Sequence, residues 1–322
     1  MNKGVCWIFA GVLFLSFCCR AEEPVSPVLS KRFYSIGTAS IGGTYYPLGI
    51  AFSKLFNSNF SDLLTLVEPT FGSVANVFYI ESGDLDFAFV QSDVMHDAVS
   101  GIGNFSRRKS KHLKAVISLY PEIVHVVVHA DSGIHRLEDL SGRTVVPGAK
   151  GSGSAVNAEF LLKNLFRDEE YTTVYMDFTK AVDALNNKAV DAVFWTGGIP
   201  GEAIEMLARK TPVRVLSFTD DKLHSITSKY SFYCVETIPP GTYTAQNYEV
   251  RSLALRAVLA VRDNVPSDLV GRILEQVFQN IEYLAALHPR ANDIKLENAL
   301  KGIQPELLHE GAKKYYSSKG FW

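Results

Sequence analysis

The sequence predicts an α/β protein built as two lobes, and three observations carry that prediction. Strand-like apolar runs alternate with helical patterns from Arg32 onward, the arrangement expected of parallel α/β sheets. Two long β-rich segments, at about 115–129 and 229–238, bracket a middle block, so the chain reads as crossing into a second lobe and returning. Four joints share one plan, in which a strand ends, small polar residues follow and a helix begins. With 322 residues, 47% hydrophobic and 20% charged, there is material for two cores.

The first residues stand apart. Lys3 precedes an apolar stretch from Val5 to Cys19, and Cys19-Arg20-Ala21 places small residues at −3 and −1. Residues 1–21 therefore read as a secretory signal peptide cleaved after Ala21. The run is short for a spanning helix. Phe17 is too large to precede a modified cysteine, so lipid anchoring at Cys18 or Cys19 is not expected. Residues 22–31, with Pro24 and Pro27, read as a tether. Cleavage removes Lys3 and Arg20 and no acid, which takes the net charge from −2 to −4 and argues against a nucleic-acid partner. It also removes three of the four cysteines. Cys234, in the apolar run "YSFYCV", is left with no disulfide partner and reads as a small buried hydrophobe.

Along the mature chain "RFYSIGT" leads to "PLGIAFSKLFNS", "LLTLVEPT" to "SVANVFYIESG", and "LDFAFVQSD" to a further helix. "LKAVISLYPEIVHVVVHADSG" is long for one strand, and Pro121 divides it into two strands joined end to end. "TVVPGAKGSGSAVNAEFLLKNLF" and "AVDAVFWTGGIPGEAIEMLARK" repeat the strand, loop and helix plan. From about Val250 the pattern is mostly helical. Lobe I then comprises 32–121 and 234–322, and lobe II comprises 122–233.

The four joints are "GTASIGGTYYP" (37–47), "VQSD" (90–93), "PGAKGSGSA" (147–155) and "FWTGGIPG" (194–201). Ligands of open α/β sheets collect at the carboxyl ends of strands, where helix N-termini offer N–H donors. The candidate binding residues are therefore Gly43, Thr44, Tyr45, Gln91, Ser92, Gly151, Ser152, Gly153, Ser154, Trp195, Thr196 and Gly197. Ser152 and Ser154 are expected to hold a carboxylate, and Thr44, Tyr45, Gln91 and Ser92 the far end of the solute. Glu122, beside Pro121 at the crossing, is either the partner of an ammonium group or a solvated residue at the crossing. No nucleophile elbow, P-loop, HExxH or zinc-spaced cysteine pair occurs, so no catalytic, cofactor or metal residues are assigned. His125 and His129 share a strand face without further ligands and read as structural. Asp84 and Asp86 read as turn chemistry. The sequons at Asn59 and Asn104 matter only in a eukaryotic source.

"IGTASIGGTYYPLG", "IESGDLDFAFVQSDVMHDAVSG", "SLYPEIVHVVVHADSGIHRLEDLSGRTV", "GAKGSGS", "FWTGGIPGEAI", "IPPGTY" and "LHEGAKKYY" occur in one order over nearly the whole mature chain. Together they resemble the TAXI family of TRAP-transporter solute-binding proteins. "GTASIGGT" is less glycine-rich than the family's usual run, and "PGAKGSGS" lacks the proline that commonly precedes its last glycine pair. The resemblance implies a two-lobed periplasmic binding protein of type II, without cofactor and monomeric. Such a receptor captures glutamate, glutamine or a related dicarboxylate such as 2-oxoglutarate. It delivers the solute to an ion-gradient-driven permease whose small and large transmembrane components are fused. Two other classes remain open at this point: an exported hydrolase using the same cleft, and a surface immunogen or adhesin with a vestigial one.

Overall fold

Each short apolar run of the first third is followed by a small-residue turn and then helical spacing. β1 (Arg32–Gly37) leads to α1 (Tyr45–Asn59), β2 (Leu63–Glu68) to α2 (Ser73–Ser82), and β3 (Phe87–Gln91) to α3 (Ser92–Ser100). β2, β1 and β3 lie side by side in parallel. The computed structural model describes residues 31–166 and 170–322, of which 31–322 cluster as one compact unit. The expected signal peptide, nearly all of the tether, and Cys18 and Cys19 lie outside the described residues. Among the described residues no helix is long and apolar enough to cross a membrane.

The middle of the chain runs through β4 (Leu113–His129), β5 (Thr144–Val146), α4 (Gly153–Leu165), β6 (Thr172–Thr173) and α5 (Phe178–Asn186). It continues through β7 (Ala192–Gly197), α6 (Glu202–Lys210), β8 (Val213–Val215), α7 (Asp220–Thr227) and β9 (Cys234–Ile238). The last stretch is β10 (Val250–Arg262), α8 (Ser267–Gln279), α9 (Ile281–Leu287) and α10 (Glu310–Ser318). The sheet order is β2-β1-β3-β10-β4-β7-β5-β6, with β8 paired to β4 and β9 to β10. β10 runs antiparallel to β3 and β4, and β4 antiparallel to β7.

Three sequence expectations need correction here. β4 is one strand of 17 residues rather than two end to end. Pro121, which lacks an N–H, sits where pairing with β7 has not begun, because that ladder starts at Ile123 opposite Gly197. On its other side the β10 register shifts just past Arg256, the residue opposite Pro121. Residues 250–262 form a strand rather than helix; "VRSLALRAVLAVR" is buried on both faces, so it shows no alternation. Cys234 is exposed rather than buried, at the start of β9, with its Sγ 3.6 Å from the Ala254 carbonyl.

The apolar core divides along β4 and β10. One cluster gathers buried residues from Tyr34 to Tyr120 and from Ala257 to Tyr316. Two others gather residues between Ile123 and Leu255, one on each face of the middle strands. The changeover falls between Tyr120 and Ile123 on β4 and between Leu255 and Ala257 on β10. Arg256 stands opposite Pro121, and Leu255 opposite Glu122. β9 and the residues to Leu255 therefore pack with the middle block.

Candidate functional site

The carboxyl ends of β1, β2, β3 and β7 and the N-termini of α1, α2, α4 and α5 surround a cavity of about 180 Å³. At roughly 10–15 Å³ for one water molecule, this is room for on the order of a dozen heavy atoms. Gly43, Thr44, Tyr45, Gln91, Glu122, Ser152, Gly153, Ser154, Trp195 and Thr196 all line it. Each of the four joints singled out in the sequence contributes, so residues more than a hundred positions apart meet at one place.

On the side of the first cluster, burial governs the chemistry. Glu122 is 2% exposed, which excludes a solvated role at the crossing. The Tyr45 hydroxyl donates to Glu122 Oε2 at 2.8 Å, and the Tyr45 ring stacks on Phe89 at 5.2 Å. Burial pushes the Glu122 carboxyl up to about 8; the Asp93 charge adds to this, while the bonds from Tyr45 and Gln91 oppose it. Glu122 is thus a neutral acid at pH 7. Asp93 is likewise pushed up to about 7 by burial; its Oδ2 accepts from Asn157 at 3.2 Å, and its Oδ1 has no partner among the described residues.

Gln91 is fixed by α4. Asn157 Nδ2 donates to Gln91 Oε1 at 3.0 Å and to the Gly153 carbonyl at 2.9 Å, while the Tyr233 hydroxyl donates to Asn157 Oδ1 at 2.6 Å. With its oxygen engaged, Gln91 presents its NH₂ group, a donor, toward Glu122 and the cavity. The amide lies so close to Gly153 that a Cβ there would run into it, which explains the glycine at the head of α4.

The opposite wall is made by the start of α4 and the end of β7. Ser152 is the N-cap of α4, and its hydroxyl accepts from Ala155 N–H at 3.1 Å. Ser154 Oγ accepts from Thr196 N–H at 3.0 Å, tying the helix to β7. Thr196 Oγ1 is buried, lines the cavity, and has no partner among the described residues. Behind them Trp195 meets His125 edge-on, ring centroids 4.8 Å apart. Burial drives the His125 pKa down to about 4, so the ring is neutral at pH 7. Its Nδ1 lies 2.8 Å from the Ile123 carbonyl and its Nε2 2.8 Å from the Tyr243 hydroxyl, so Nδ1–H donates and Nε2 accepts.

Ser92, Gly151 and Gly197 do not line the cavity. Ser92 faces the other way and accepts from Arg256 N–H at 3.1 Å. The Gly151 carbonyl accepts from Ala75 N–H at 3.3 Å, joining the α4 loop to α2. Gly197 pairs with Ile123 in the sheet. The sequence reading missed the stretch Thr70 to Ser73 and the pair Asp177 and Phe178, all of which line the cavity. Both follow the same plan: Gly72 precedes α2 at φ 104°, and Asp177 caps α5 by accepting from Lys180 N–H at 3.0 Å. That Gly-Ser or Asp before a helical run was the available signal.

A family model described as the NMT1-like family matches residues 36–320. Among solved structures, a ligand-binding component of an ABC-type import system from Staphylococcus aureus, solved with zinc, superposes with a TM-score of 0.51 at 13% identity, covering 91% of this chain and 93% of that one. A Xanthomonas citri protein solved with ATP gives 0.51 at 11%, covering 90% and 99%. A Listeria monocytogenes protein assigned provisionally to an L-cystine ABC transporter gives 0.51 at 12%, covering 83% and 98%. At these identities the likeness is one of fold, and the fold is that of two-lobed, type II solute-binding proteins.

Proposed function

Because the chain belongs to the NMT1-like family and carries this cavity, we propose that it is an exported receptor for a small anionic solute. One observation carries the reading: donors gathered on one cavity, with the Gln91 amide turned by Asn157 to offer its NH₂ group beside the start of α4. The first N–H groups of a helix have no intrahelical partner. Ser152 takes Ala155, which leaves Gly153 and Ser154 N–H for a carboxylate, with Thr196 Oγ1 beside them. Glutamate, glutamine and 2-oxoglutarate fit the size of the cavity and its donors. Lobe I holds residues 32–121 and the end of the chain, and lobe II the middle block; the core clusters favour a return at Arg256 on β10 over the expected return at 234.

The chain acts as a binding protein rather than an enzyme: donors and the neutral acid of Glu122 face the cavity, and the ionised carboxylate in its lining, Asp177, is committed to Lys180, whose N–H and Nζ each lie 3.0 Å from it. It works outside the cytoplasmic membrane, in the periplasm, as a monomer after removal of its signal peptide. Its permease partner is of the TRAP type on the motif resemblance, with fused small and large transmembrane components and driven by an ion gradient. The import systems named among the structural neighbours are ABC-type, so transport by a reconstituted permease with an ion gradient alone, or with ATP alone, separates the two. The test of the reading itself is calorimetry of the three solutes against the purified chain. Binding at micromolar affinity or tighter is expected, and absence of both heat and thermal shift for all three overturns it.

A further inference from the structure

Beside the candidate site lies a second cavity, of about 330 Å³, bounded by Pro47, Ile199, Pro200, Glu202, Glu205 and Arg290 among others. Gly43, Thr44 and Trp195 line both cavities, so the partition between them is built from these three residues. Only Trp195 contributes a large side chain to it. We propose that Trp195 is the residue that sets the length limit of the bound solute, by closing the inner cavity against an outer compartment nearly twice its volume. This inference rests on the reading of the inner cavity as a solute site.

The indole is built into a slot. A Cβ at Gly197 would lie 2.5 Å from its Cζ2, and one at Gly201 2.6 Å from its Cη2, so the six-membered ring lies over two positions that have no side chain. Phe178 flanks it at 5.8 Å between ring centroids, and His125 at 4.8 Å. His125 is itself held by the Tyr243 hydroxyl, which in turn accepts from Gly201 N–H at 3.0 Å. The loop that carries Gly201 and the ring that backs the indole are thereby tied to one hydroxyl. A side chain positioned from four sides in this way works as a fixed wall. The outer compartment beyond it is walled by prolines and Ile199, with the Glu202 carboxylate, with Glu205 committed to Arg209 at 2.8 Å and to Thr244, and with Arg290 committed to Asp293 at 3.0 Å. A neutral tail suits that surface better than a second carboxylate.

The probes are the α,ω-dicarboxylates of four to nine carbons and the monoamides of the same acids, titrated calorimetrically into wild-type protein and Trp195→Phe. With their one carboxylate held in the inner cavity, the monoamides place an uncharged end against Glu202. In the wild type the affinity should break by at least tenfold between the five- and seven-carbon members. In Trp195→Phe, which removes the ring seated over Gly197 and Gly201 but keeps an aromatic core residue, the break should move out by about two carbons in the monoamide series at least. A wild type that holds the nine-carbon members as tightly as the five-carbon ones overturns the length limit without any variant, and so does a break that Trp195→Phe leaves in place in both series. Failure of the wild type to bind any member of either series overturns the solute-site reading itself and this inference with it.

Discussion

Replacing Glu122 with Gln probes whether the solute carries an amine. Glu122 is buried, its carboxyl held up at about 8 by burial first and by Asp93 next. Ionising it at pH 7 costs one pH unit, about 1.4 kcal/mol. An ammonium placed against it recovers that cost as an ion pair, and the proton leaves. Without the carboxylate, a buried ammonium is left unpaired at about 3–5 kcal/mol. The net loss for glutamate in Glu122→Gln is then about 2–3.5 kcal/mol, or roughly thirty- to three-hundredfold in Kd. 2-Oxoglutarate lacks the amine and should lose little, because the amide reproduces the neutral acid. The pH dependences have opposite signs. Glutamate binding releases a proton, so its affinity should rise toward tenfold per unit up to about pH 8 and then level. 2-Oxoglutarate needs the protonated acid, so its affinity should level below about 8 and fall above it. Calorimetry in buffers of different ionisation enthalpy counts the proton directly. Equal effects of the substitution on both ligands, or two parallel pH profiles, would refute the pairing.

Three further outcomes are expected. The folded chain holds protons on Glu122 and Asp93 that the unfolded chain gives up at ordinary carboxylate pH, since burial raises these groups to about 8 and about 7. This contribution is present in full near pH 4 and is lost as pH rises through 7 and 8, so these two groups should make stability in urea melts fall with rising pH, by about 1–3 kcal/mol per unit between 5 and 7. Glu122→Gln should flatten that slope, and a slope that the variant does not change counts against it. Ser152→Ala should lose about 1 kcal/mol as a cap; if Ser152→Ala and Ser154→Ala melt lower yet bind a dicarboxylate with wild-type affinity, the two hydroxyls do not hold the carboxylate and only the backbone N–H groups of α4 are left to do so. Alanine for glycine inside an exposed helix usually gains about 0.5–1 kcal/mol, but Gly153→Ala should destabilise and weaken binding, because the new Cβ displaces Gln91. A neutral or stabilising result there would mean the amide is not held against α4.

The four joints were legible because strand end, small polar turn and helix start is a local pattern, and parallel α/β topology brings such patterns to one edge of a sheet. What the pattern does not carry is direction. Ser92 follows Gln91 immediately, yet the turn from β3 into α3 sends Gln91 into the cavity and Ser92 toward Arg256. Gly151 and Gly197 sit within the right segments and serve the backbone there. The strand from Val250 was illegible for another reason: it lies between β3 and β4 with both faces covered, so hydrophobic periodicity vanishes, and Ala and Leu imitate a helix. Asn157 gave no signal at all, because its role depends on Gln91, Asp93 and Tyr233 arriving from β3, α3 and the loop before β9.

The same strands explain why a buried acid is tolerated where it stands. The apolar clusters meet at Pro121 and Glu122 on β4 and at Arg256 on β10, so packing there is shared by neither core. Arg256 spends its guanidinium on β4 itself, Nε to Ser118 Oγ at 2.9 Å and an NH₂ to the Leu119 carbonyl at 3.1 Å, and its charge only partly offsets the effect of burial on Glu122. The carboxyl is left with donors of its own, Tyr45 and Gln91, that face the cavity. Perturbed carboxyls in clefts concentrate at functional sites because the cost of burying them is otherwise selected against. On the proposed reading, a solute that adds or removes the Glu122 proton would do so on the strand that joins the cores.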